Sequence, residues 1–174
     1  SMLTDDTGLF KFDNLGPGTY TLSEQMQSGF YQSLPGGNET YSITLTSDDT
    51  IINKDFGNYR LGSISGKKYL DANVNGLFDA GDSLLSGWKI FLSNGDSVLT
   101  DSLGNYTFDN LTPSNYTVSE EIKESWTQSE PENVFYSLSL ISGEQIINKN
   151  FGNYQKGSIS GTVYTDSMGN GIKD

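Results

Sequence analysis

The sequence contains neither cysteine nor histidine. The absence of cysteine excludes disulfide bonds and thiol chemistry. The absence of histidine removes the side chain most used for proton transfer near neutral pH and for zinc binding. We therefore expect that the chain is not an enzyme, because the remaining residues offer no obvious nucleophile with a base beside it.

Basic residues are also scarce: 10 lysines and arginines stand against 22 aspartates and glutamates, which gives a formal net charge of -12. This balance disfavours nucleic acid as a partner, because its phosphates require a basic surface. No apolar run is long enough to cross a membrane, so we expect no membrane insertion in this segment. The acidity suits calcium and an extracellular location, although a surface that only aids solubility explains most of these carboxylates equally well.

The sequence does contain a strong internal similarity. Residues 4–24 match residues 100–120 at 12 of 21 positions without a gap, at an offset of 96. The motif IINKDFGNY at 51–59 recurs as IINKNFGNY at 146–154, an offset of 95. GSISG recurs at the same offset of 95, at 62–66 and at 157–161. These matches predict tandem repeats of about 95 residues.

The repeat divides the chain into three predicted parts. They are the C-terminal part of a first repeat (1–59, the N-terminal segment), a complete second repeat (61–154, the central segment), and the first strand and partial loop of a third repeat (157–174, the C-terminal segment). The joints between them are only one or two residues long. Such short joints predict closely adjoining domains with restricted bending.

Apolar residues of the central segment recur with a period of two, which is typical of strands. Asn94-Gly95 predicts a two-residue hairpin turn, because both positions of such a turn need positive φ. About seven short strands separated by turn residues predict an all-β fold, an antiparallel β-sandwich. The predicted core consists of Trp88, Ile90, Leu92, Phe108, Tyr116, Val118, Leu138 and Phe151.

Five blocks of the sequence carry a family resemblance: GSISGKKYLDANVNGLFDAGD, LLSGWKIFL, TDSLGNYTFDNL, NYTVSE and NFGNY. In this order they closely resemble the B-type repeats of serine-aspartate-repeat surface adhesins, the SdrD B-like domains. These are relatives of the collagen-adhesin (Cna) B-type domain, which has a prealbumin-like or Ig-like sandwich. The resemblance implies a calcium-stiffened spacer on a secreted or cell-surface protein, and it identifies no ligand.

A calcium-binding loop is predicted where the first of these blocks ends. Oxygen-bearing side chains occupy loop positions 1, 3, 5, 9 and 12, with Gly76 at position 6, which is EF-hand spacing. Asp82 stands at position 12 in place of the usual bidentate glutamate. The alternative is an Asn/Asp-rich turn that holds no ion. The predicted Ca²⁺ ligands are the side chains of Asp71, Asn73, Asn75, Asp79 and Asp82 and the carbonyl group of Leu77.

The C-terminal segment begins the same loop at Asp166, with Asn170, Gly171 and Asp174 at matching positions. We expect no high-affinity site there, because Met168 replaces the oxygen ligand at position 3. Other aspartates lie in TD-x-x-G turns, where a turn-forming role is favoured over weak cation binding. These aspartates are Asp5, Asp6 and Asp101.

The resemblance also implies a covalent bond. Collagen-adhesin-type domains join a lysine of the first strand to an asparagine of the last strand, with help from a buried glutamate. By resemblance, the residues here are Lys68, Glu120 and Asn148. Two alternatives stay open: a bulge at Gly66 would turn Lys67 inward instead, or Lys68 would extend to solvent.

The sequence therefore predicts a structural calcium-binding module, a stalk or spacer of an adhesin-like protein. The alternative is a carbohydrate-binding or accessory module of a secreted enzyme, in which Trp88, Trp126 and Tyr31 would form a sugar platform instead of core contacts. The expected partners are neighbouring repeats of the same protein. We also expect head-to-tail self-association through the chain ends, with residues 159–164 of one chain against the strand that contains Phe56 in another.

Overall fold

A computed structural model describes residues 1–173, apart from the side chain of Asn38. Strands dominate these residues, which contain no α-helix, and the short 3-10 helix Gly36–Asn38 cannot span a membrane. The strands are β1 (Gly18–Leu22), β2 (Tyr31–Leu34), β3 (Tyr41–Leu45), β4 (Gly57–Tyr59), β5 (Gly62–Leu70), β6 (Ser83–Leu84), β7 (Lys89–Leu92), β8 (Ser97–Leu99), β9 (Asn105–Leu111), β10 (Ser114–Glu120), β11 (Trp126–Glu130), β12 (Phe135–Leu140), β13 (Gln145–Ile146) and β14 (Phe151–Gln155).

Strands β5 to β14 form a sandwich of two sheets. One sheet has the order β12-β10-β7-β8, and the other has the order β11-β14-β5-β13, with β6 and β9 also paired to β5. The strands number ten where about seven were predicted, because β6, β8 and β13 are only two or three residues long. The sandwich also departs from the predicted antiparallel pattern where β5 and β14 pair, since these strands run parallel.

Side chains of alternating burial line the core, as the period of two predicted. In β10, Tyr116, Val118 and Glu120 are buried, whereas the residues between them are not. Seven of the eight predicted core residues are buried. The exception is Leu138, which is half-buried. Leu140 on the same face is buried instead, in the space left by the missing side chain of Gly62.

The hairpin between β7 and β8 forms at Asn94-Gly95, but its turn is longer than predicted. Leu92 N–H donates to the carbonyl of Asp96 (2.9 Å), which leaves three residues in the loop. Only Gly95 has positive φ, at 101°. A three-residue loop that ends in a left-handed glycine matches the strand twist as well as a two-residue turn does, and it needs one positive φ instead of two.

The N-terminal segment contains two antiparallel strand pairs, β1 with β3 and β2 with β4. The β2–β4 pair resembles the β11–β14 pair of the central segment. Gln32 lies opposite Asn58, Gln128 lies opposite Asn153, and a register shift follows the glutamine in both pairs. The repeated sequence therefore folds locally in the same way.

Contacts divide the chain into two compact units. One comprises Ser1–Ser63, Asp109–Ser114 and Ser139–Gln145. The other comprises Ile64–Phe108, Asn115–Leu138 and the chain from Ile146 onward. The first unit thus includes short pieces of the central segment as well as all of the N-terminal segment.

Candidate functional site

Strand β5 carries a fully buried lysine. Lys68 has 0% exposure, and its Nζ atom lies 2.8 Å from Glu120 Oε2 at the end of β10. Nζ also donates hydrogen bonds to Asn153 Oδ1 (2.5 Å) and to the carbonyl of Phe151 (3.2 Å) in β14. The Asn153 side chain hydrogen-bonds to Glu120 as well. Lysine, glutamate and asparagine therefore meet inside the sandwich.

Burial shifts both ionisable groups toward their neutral forms. Loss of water lowers the pKa of Lys68 to about 8, although the Glu120 carboxylate opposes this shift. Burial likewise raises the pKa of Glu120, with the Lys68 ammonium opposing. Both shifts act toward a neutral amine and a neutral acid, and a neutral Lys68 amine would have a free electron pair beside the Asn153 amide.

The structure corrects the choice of asparagine. Asn148 is exposed, has a φ of 58° and precedes β14, whereas Asn153 is buried beside Lys68. Asn153 lies two residues after the core residue Phe151, so the two share a face of the strand. That period, together with the recurrence of FGNY, is the sequence signal that would have identified Asn153 in place of Asn148.

The structure also answers the two alternatives for the lysines, that Lys67 points inward or that Lys68 extends to solvent. Lys67 points away from Glu120, and its Nζ donates to Asn105 Oδ1 (2.6 Å). Lys68 does not extend to solvent. Gly66 allows β5 to lie close to the backbone that precedes β14, because a Cβ atom at this position would lie 2.1 Å from the Lys149 carbonyl oxygen. The inward direction of Lys68 thus follows from the strand register.

The predicted calcium loop begins one residue after β5, at the buried Asp71. Its carboxylate accepts hydrogen bonds from the backbone N–H groups of Asn75 (3.1 Å) and Gly76 (2.8 Å). Burial works to raise the pKa of Asp71, but bonds from Ser129 and from these amides outweigh it and lower the pKa. The Asp71 N–H in turn donates to the Asn153 carbonyl (2.8 Å), which fixes the loop to β14.

The other predicted ligands close the loop on itself. Asn73 Oδ1 accepts from the Asn75 N–H (3.1 Å), and Asn75 Oδ1 accepts from the Leu77 N–H (2.8 Å). Asn75 Nδ2 donates to Asp79 Oδ2 (2.6 Å). Asp82 accepts from the N–H groups of Ala72 and Asp79, 3.0 Å each. The loop is therefore held by its own hydrogen bonds, in which the amide nitrogens of Asn73 and Asn75 contact the Asp79 carboxylate.

The predicted ligands supply carboxylate, amide and carbonyl oxygens, a combination that suits a calcium ion. Across residues 1–173, no three His, Cys, Asp or Glu side chains lie close enough to hold a metal by themselves. A bound Ca²⁺ would therefore need the amide oxygens of Asn73 and Asn75 and the Leu77 carbonyl besides the carboxylates. Amide and carbonyl oxygens are ordinary calcium ligands.

The C-terminal loop repeats part of this hydrogen-bond pattern. Asp166 accepts from the N–H groups of Asn170 (3.1 Å) and Gly171 (2.6 Å), as Asp71 does in the central loop. Met168 supplies no oxygen ligand, and Asp174 lies outside the described residues. Two aspartates of the TD-x-x-G turns, Asp5 and Asp101, accept hydrogen bonds from backbone N–H groups of their own turns, which is a turn-forming role.

The tryptophans form core contacts. Trp88 is buried, its ring meets Trp126 edge-on at 5.2 Å, and its Nε1 donates to the Glu121 carbonyl (2.9 Å). The Lys68 ammonium lies 4.4 Å from the Trp88 ring centre. Trp88 is therefore not available for an exposed sugar platform. The residues that sequence reasoning missed at these sites are Asn153 and Ser129.

Comparison with known proteins places these features in a family. The family model described as the SdrD B-like domain matches residues 59–134. Residues 59–134 are an SdrD B-like domain. The match begins at the end of β4 and includes β5, the predicted calcium loop and Glu120, but it ends before β14.

Curated relatives match more of the chain. Colossin-A of Dictyostelium discoideum is 29% identical over 196 aligned residues, covering 100% of this chain and 2% of that protein. Serine-aspartate repeat-containing protein F of Staphylococcus epidermidis is 30% identical over 148 residues, covering 71% of this chain and 8% of that protein. The chain thus spans a small fraction of the length of either relative.

Among solved structures, the chain is similar to GBS52, the minor pilin of Streptococcus agalactiae. The TM-score is 0.43 at 14% sequence identity, covering 92% of this chain and 70% of that chain. A TM-score this low does not establish a shared fold. The all-β architecture of the SdrD B-like domain therefore rests on its own strands.

Proposed function

We propose that this chain is a calcium-binding structural module, a stalk or spacer, of a secreted or cell-surface adhesin-like protein, and that it has no enzymatic activity. The observation that carries the proposal is the loop of Asp71–Asp82, which has EF-hand spacing and is fixed to β14 through Asp71. Binding of this kind stiffens the end of the sandwich where β5 and β14 meet.

Contacts around the first joint support a spacer role. The Arg60 guanidinium lies 4.3 Å from the ring centre of Phe30, in the N-terminal segment. The Arg60 backbone N–H donates to Ser142 Oγ (2.9 Å), and its carbonyl accepts from the Gly143 N–H (3.0 Å), both in the central segment. All four residues belong to the same compact unit. A joint held in this way resists bending, as a stalk requires.

Thermal unfolding with and without calcium tests this proposal. An ion that binds only the folded state stabilises it by about 2.7 kcal/mol at a hundredfold excess over the dissociation constant. The Tm should therefore rise with CaCl₂ and fall with a chelator. Asp71→Ala should abolish this response, and Asp166→Ala, the matched change in the C-terminal loop, should keep it. A wild-type Tm that does not change with calcium, or an Asp71→Ala variant whose Tm still rises with calcium, would contradict calcium binding at this loop.

The buried triad of Lys68, Glu120 and Asn153 supports a second way to stiffen the domain, a covalent bond between two strands. In this proposal the Lys68 amine attacks Cγ of Asn153, forming an Nζ–Cγ bond. The Cγ–Nδ2 bond breaks and ammonia leaves. Glu120 accepts a proton from Nζ and returns it to the departing nitrogen, so no other reagent is needed. The resulting isopeptide bond would join β5 covalently to β14.

Intact-mass spectrometry tests the bond directly. The wild-type chain should lack the mass of one ammonia, and Lys68→Met and Asn153→Ala should have their full theoretical masses. Asn148→Ala is the matched control and should still lose ammonia, because Asn148 does not contact Lys68. A wild-type chain of full theoretical mass would show that no isopeptide forms.

A further inference from the structure

Strand β11 contains an irregularity beside the predicted calcium loop. Gln128 lies opposite Asn153 and Glu130 lies opposite Gly152, so Ser129 is an extra residue in the pairing with β14. An extra residue of this kind forms a β-bulge, which bends its strand and changes the direction of the side chains there. The bulge brings Ser129 to the end of β5, where the calcium loop begins.

Two consecutive residues of the bulge contact the same side of the chain at the end of β5. In a regular strand, Ser129 and Glu130 would point to opposite faces of the sheet. Here Glu130 Oε2 accepts a hydrogen bond from the Tyr69 hydroxyl (2.6 Å), and the Ser129 hydroxyl supports the Asp71 carboxylate. Tyr69 and Asp71 are two residues apart and therefore share a side. The bulge thus directs both side chains toward the start of the loop.

Gly152 makes room for this arrangement. A Cβ atom at Gly152 would lie 2.6 Å from the Tyr69 ring and 2.9 Å from Ser129 Oγ. The serine hydroxyl therefore uses space that a side chain on β14 would fill. The loop also comes close to the same serine, since a Cβ atom at Gly76 would lie 3.3 Å from the Ser129 carbonyl oxygen. Ser129 thus lies beside both the first predicted ligand of the loop and its central glycine.

Folding alone does not explain the Ser129 hydroxyl. Its Oγ atom is buried, its contact with Asp71 is not a well-aligned hydrogen bond, and it has no other partner among the described residues. A buried hydroxyl without a good partner lowers stability instead of raising it. The hydroxyl nevertheless supports the Asp71 carboxylate together with the N–H groups of Asn75 and Gly76. Its position behind a predicted metal ligand therefore indicates a role in metal binding.

We propose that Ser129 is a positioning residue for calcium binding: its hydroxyl, placed by the bulge in β11, holds the Asp71 carboxylate in the orientation that Ca²⁺ requires. Ser129 itself donates no atom to the ion. The inference rests on the proposed calcium site and adds to it a residue that lies outside the EF-hand spacing. Groups behind a metal ligand fix its orientation, and their loss commonly weakens metal binding about tenfold or more.

The N-terminal segment supplies a matched control. Ser33 stands at the same place in the β2–β4 pair, between Gln32 and Leu34, where the register shifts in the same way. A Cβ atom at Gly57 would also lie 2.9 Å from Ser33 Oγ. None of the predicted calcium ligands lies in this segment. Ser33→Ala therefore makes the same change at the same kind of bulge, away from the calcium loop.

Calcium titration of the full chain by isothermal titration calorimetry tests the proposal. Ser129→Ala should bind Ca²⁺ about tenfold more weakly than the wild-type chain, and Ser33→Ala should bind it with wild-type affinity. Thermal unfolding in chelator is the second measurement. There the Tm of Ser129→Ala should not fall below that of the wild-type chain, because the variant loses only a poorly paired hydroxyl. This Tm also shows that the variant is folded.

Two outcomes would overturn this inference and leave the proposed calcium site in place. One is a calcium dissociation constant that is the same in Ser129→Ala and the wild-type chain, whether or not the Tm in chelator falls. The other is equal weakening of calcium binding by Ser129→Ala and Ser33→Ala. A wild-type chain that binds no calcium would overturn the proposed calcium site together with this inference, so the two failures are distinguishable.

Discussion

The N-terminal and central segments share repeated sequence blocks but differ in burial. In both segments a glutamine bonds to a proline carbonyl three residues later, Gln32 to Pro35 (2.6 Å) and Gln128 to Pro131 (2.8 Å). The β2–β4 register matches the β11–β14 register, including its shift. Pairing within each of these strand pairs therefore depends on local sequence and not on the rest of the sandwich.

Burial depends on β5. The aromatic residue of the FGNY motif is fully buried in the central segment, where β5 lies beside it, and half-buried in the N-terminal segment, where β4 has an open edge. The glutamate–asparagine pairs differ in the same way: Glu24 accepts a hydrogen bond from Asn58 (2.7 Å), but only Glu120 and Asn153 receive a lysine. A single strand thus converts an exposed polar pair into a buried ionic triad.

The largest expected difference between the two segments comes from removing each glutamate. Glu120→Ala leaves the Lys68 ammonium buried without its carboxylate, which should destabilise the domain by about 3–5 kcal/mol. Glu24→Ala removes one hydrogen bond and no ion pair, and should change stability by less than about 1 kcal/mol. Urea unfolding of the full chain checks both, with Trp88 and Trp126 fluorescence reporting on the central segment and circular dichroism on the whole chain.

A double variant controls this measurement. Lys68→Met combined with Glu120→Gln removes both charges, so it should recover much of the lost stability. Equal losses of unfolding free energy in Glu120→Ala and Glu24→Ala would mean that Lys68 does not cause the difference between the two segments.

A smaller difference is expected at the glycine of the FGNY motif. A Cβ atom at Gly152 would lie 2.6 Å from the ring of Tyr69, a fully buried residue of β5. At Gly57 the nearest atom is Ser33 Oγ, at 2.9 Å, which can rotate away. Gly152→Ala should therefore cost about 1–3 kcal/mol through overpacking, and Gly57→Ala should cost less than about 1 kcal/mol.

Urea midpoints for the two alanine variants, measured side by side, check this prediction. Equal midpoints would show that β5 does not restrict the space around β14 in solution.

The smallest effect concerns self-association. The C-terminal segment differs from β5 at the lysine position, so Val163→Lys should convert it into a better occupant of the open β4 edge of another copy. Dimerisation should become about tenfold tighter, about 1.4 kcal/mol. Thr162→Lys adds the same charge to the opposite face and is the matched control. Sedimentation velocity over a range of concentrations measures both.

An unchanged dimerisation constant in Val163→Lys would mean that dimerisation does not depend on a lysine at this position. An equal gain in Thr162→Lys would attribute association to net charge, since each variant reduces the negative charge of the chain by one.

Local features of this chain could be predicted from its sequence because they depend on neighbouring residues. The alternation in β7 and β10, the turn at Asn94-Gly95 and the Asp71–Asp82 loop all follow from side-chain size, φ preference and hydrogen-bonding groups within a few positions. Lys68 and Glu120 were found through their strand faces and a family resemblance. The predicted turn length was wrong because loops of two and of three residues both fit an Asn-Gly pair.

The pairing of distant strands was decided only by the tertiary structure. Asn148 and Asn153 are both asparagines near the start of the last strand, and the choice between them depends on the parallel register of β14 against β5, about 80 residues away in the chain. No local preference encodes that register, because it is set by which side chains fill the core together. The sequence alone determined the strands, the loop and the residue types available for chemistry. The tertiary structure decided which of them meet, because contact between remote residues depends on the whole sandwich.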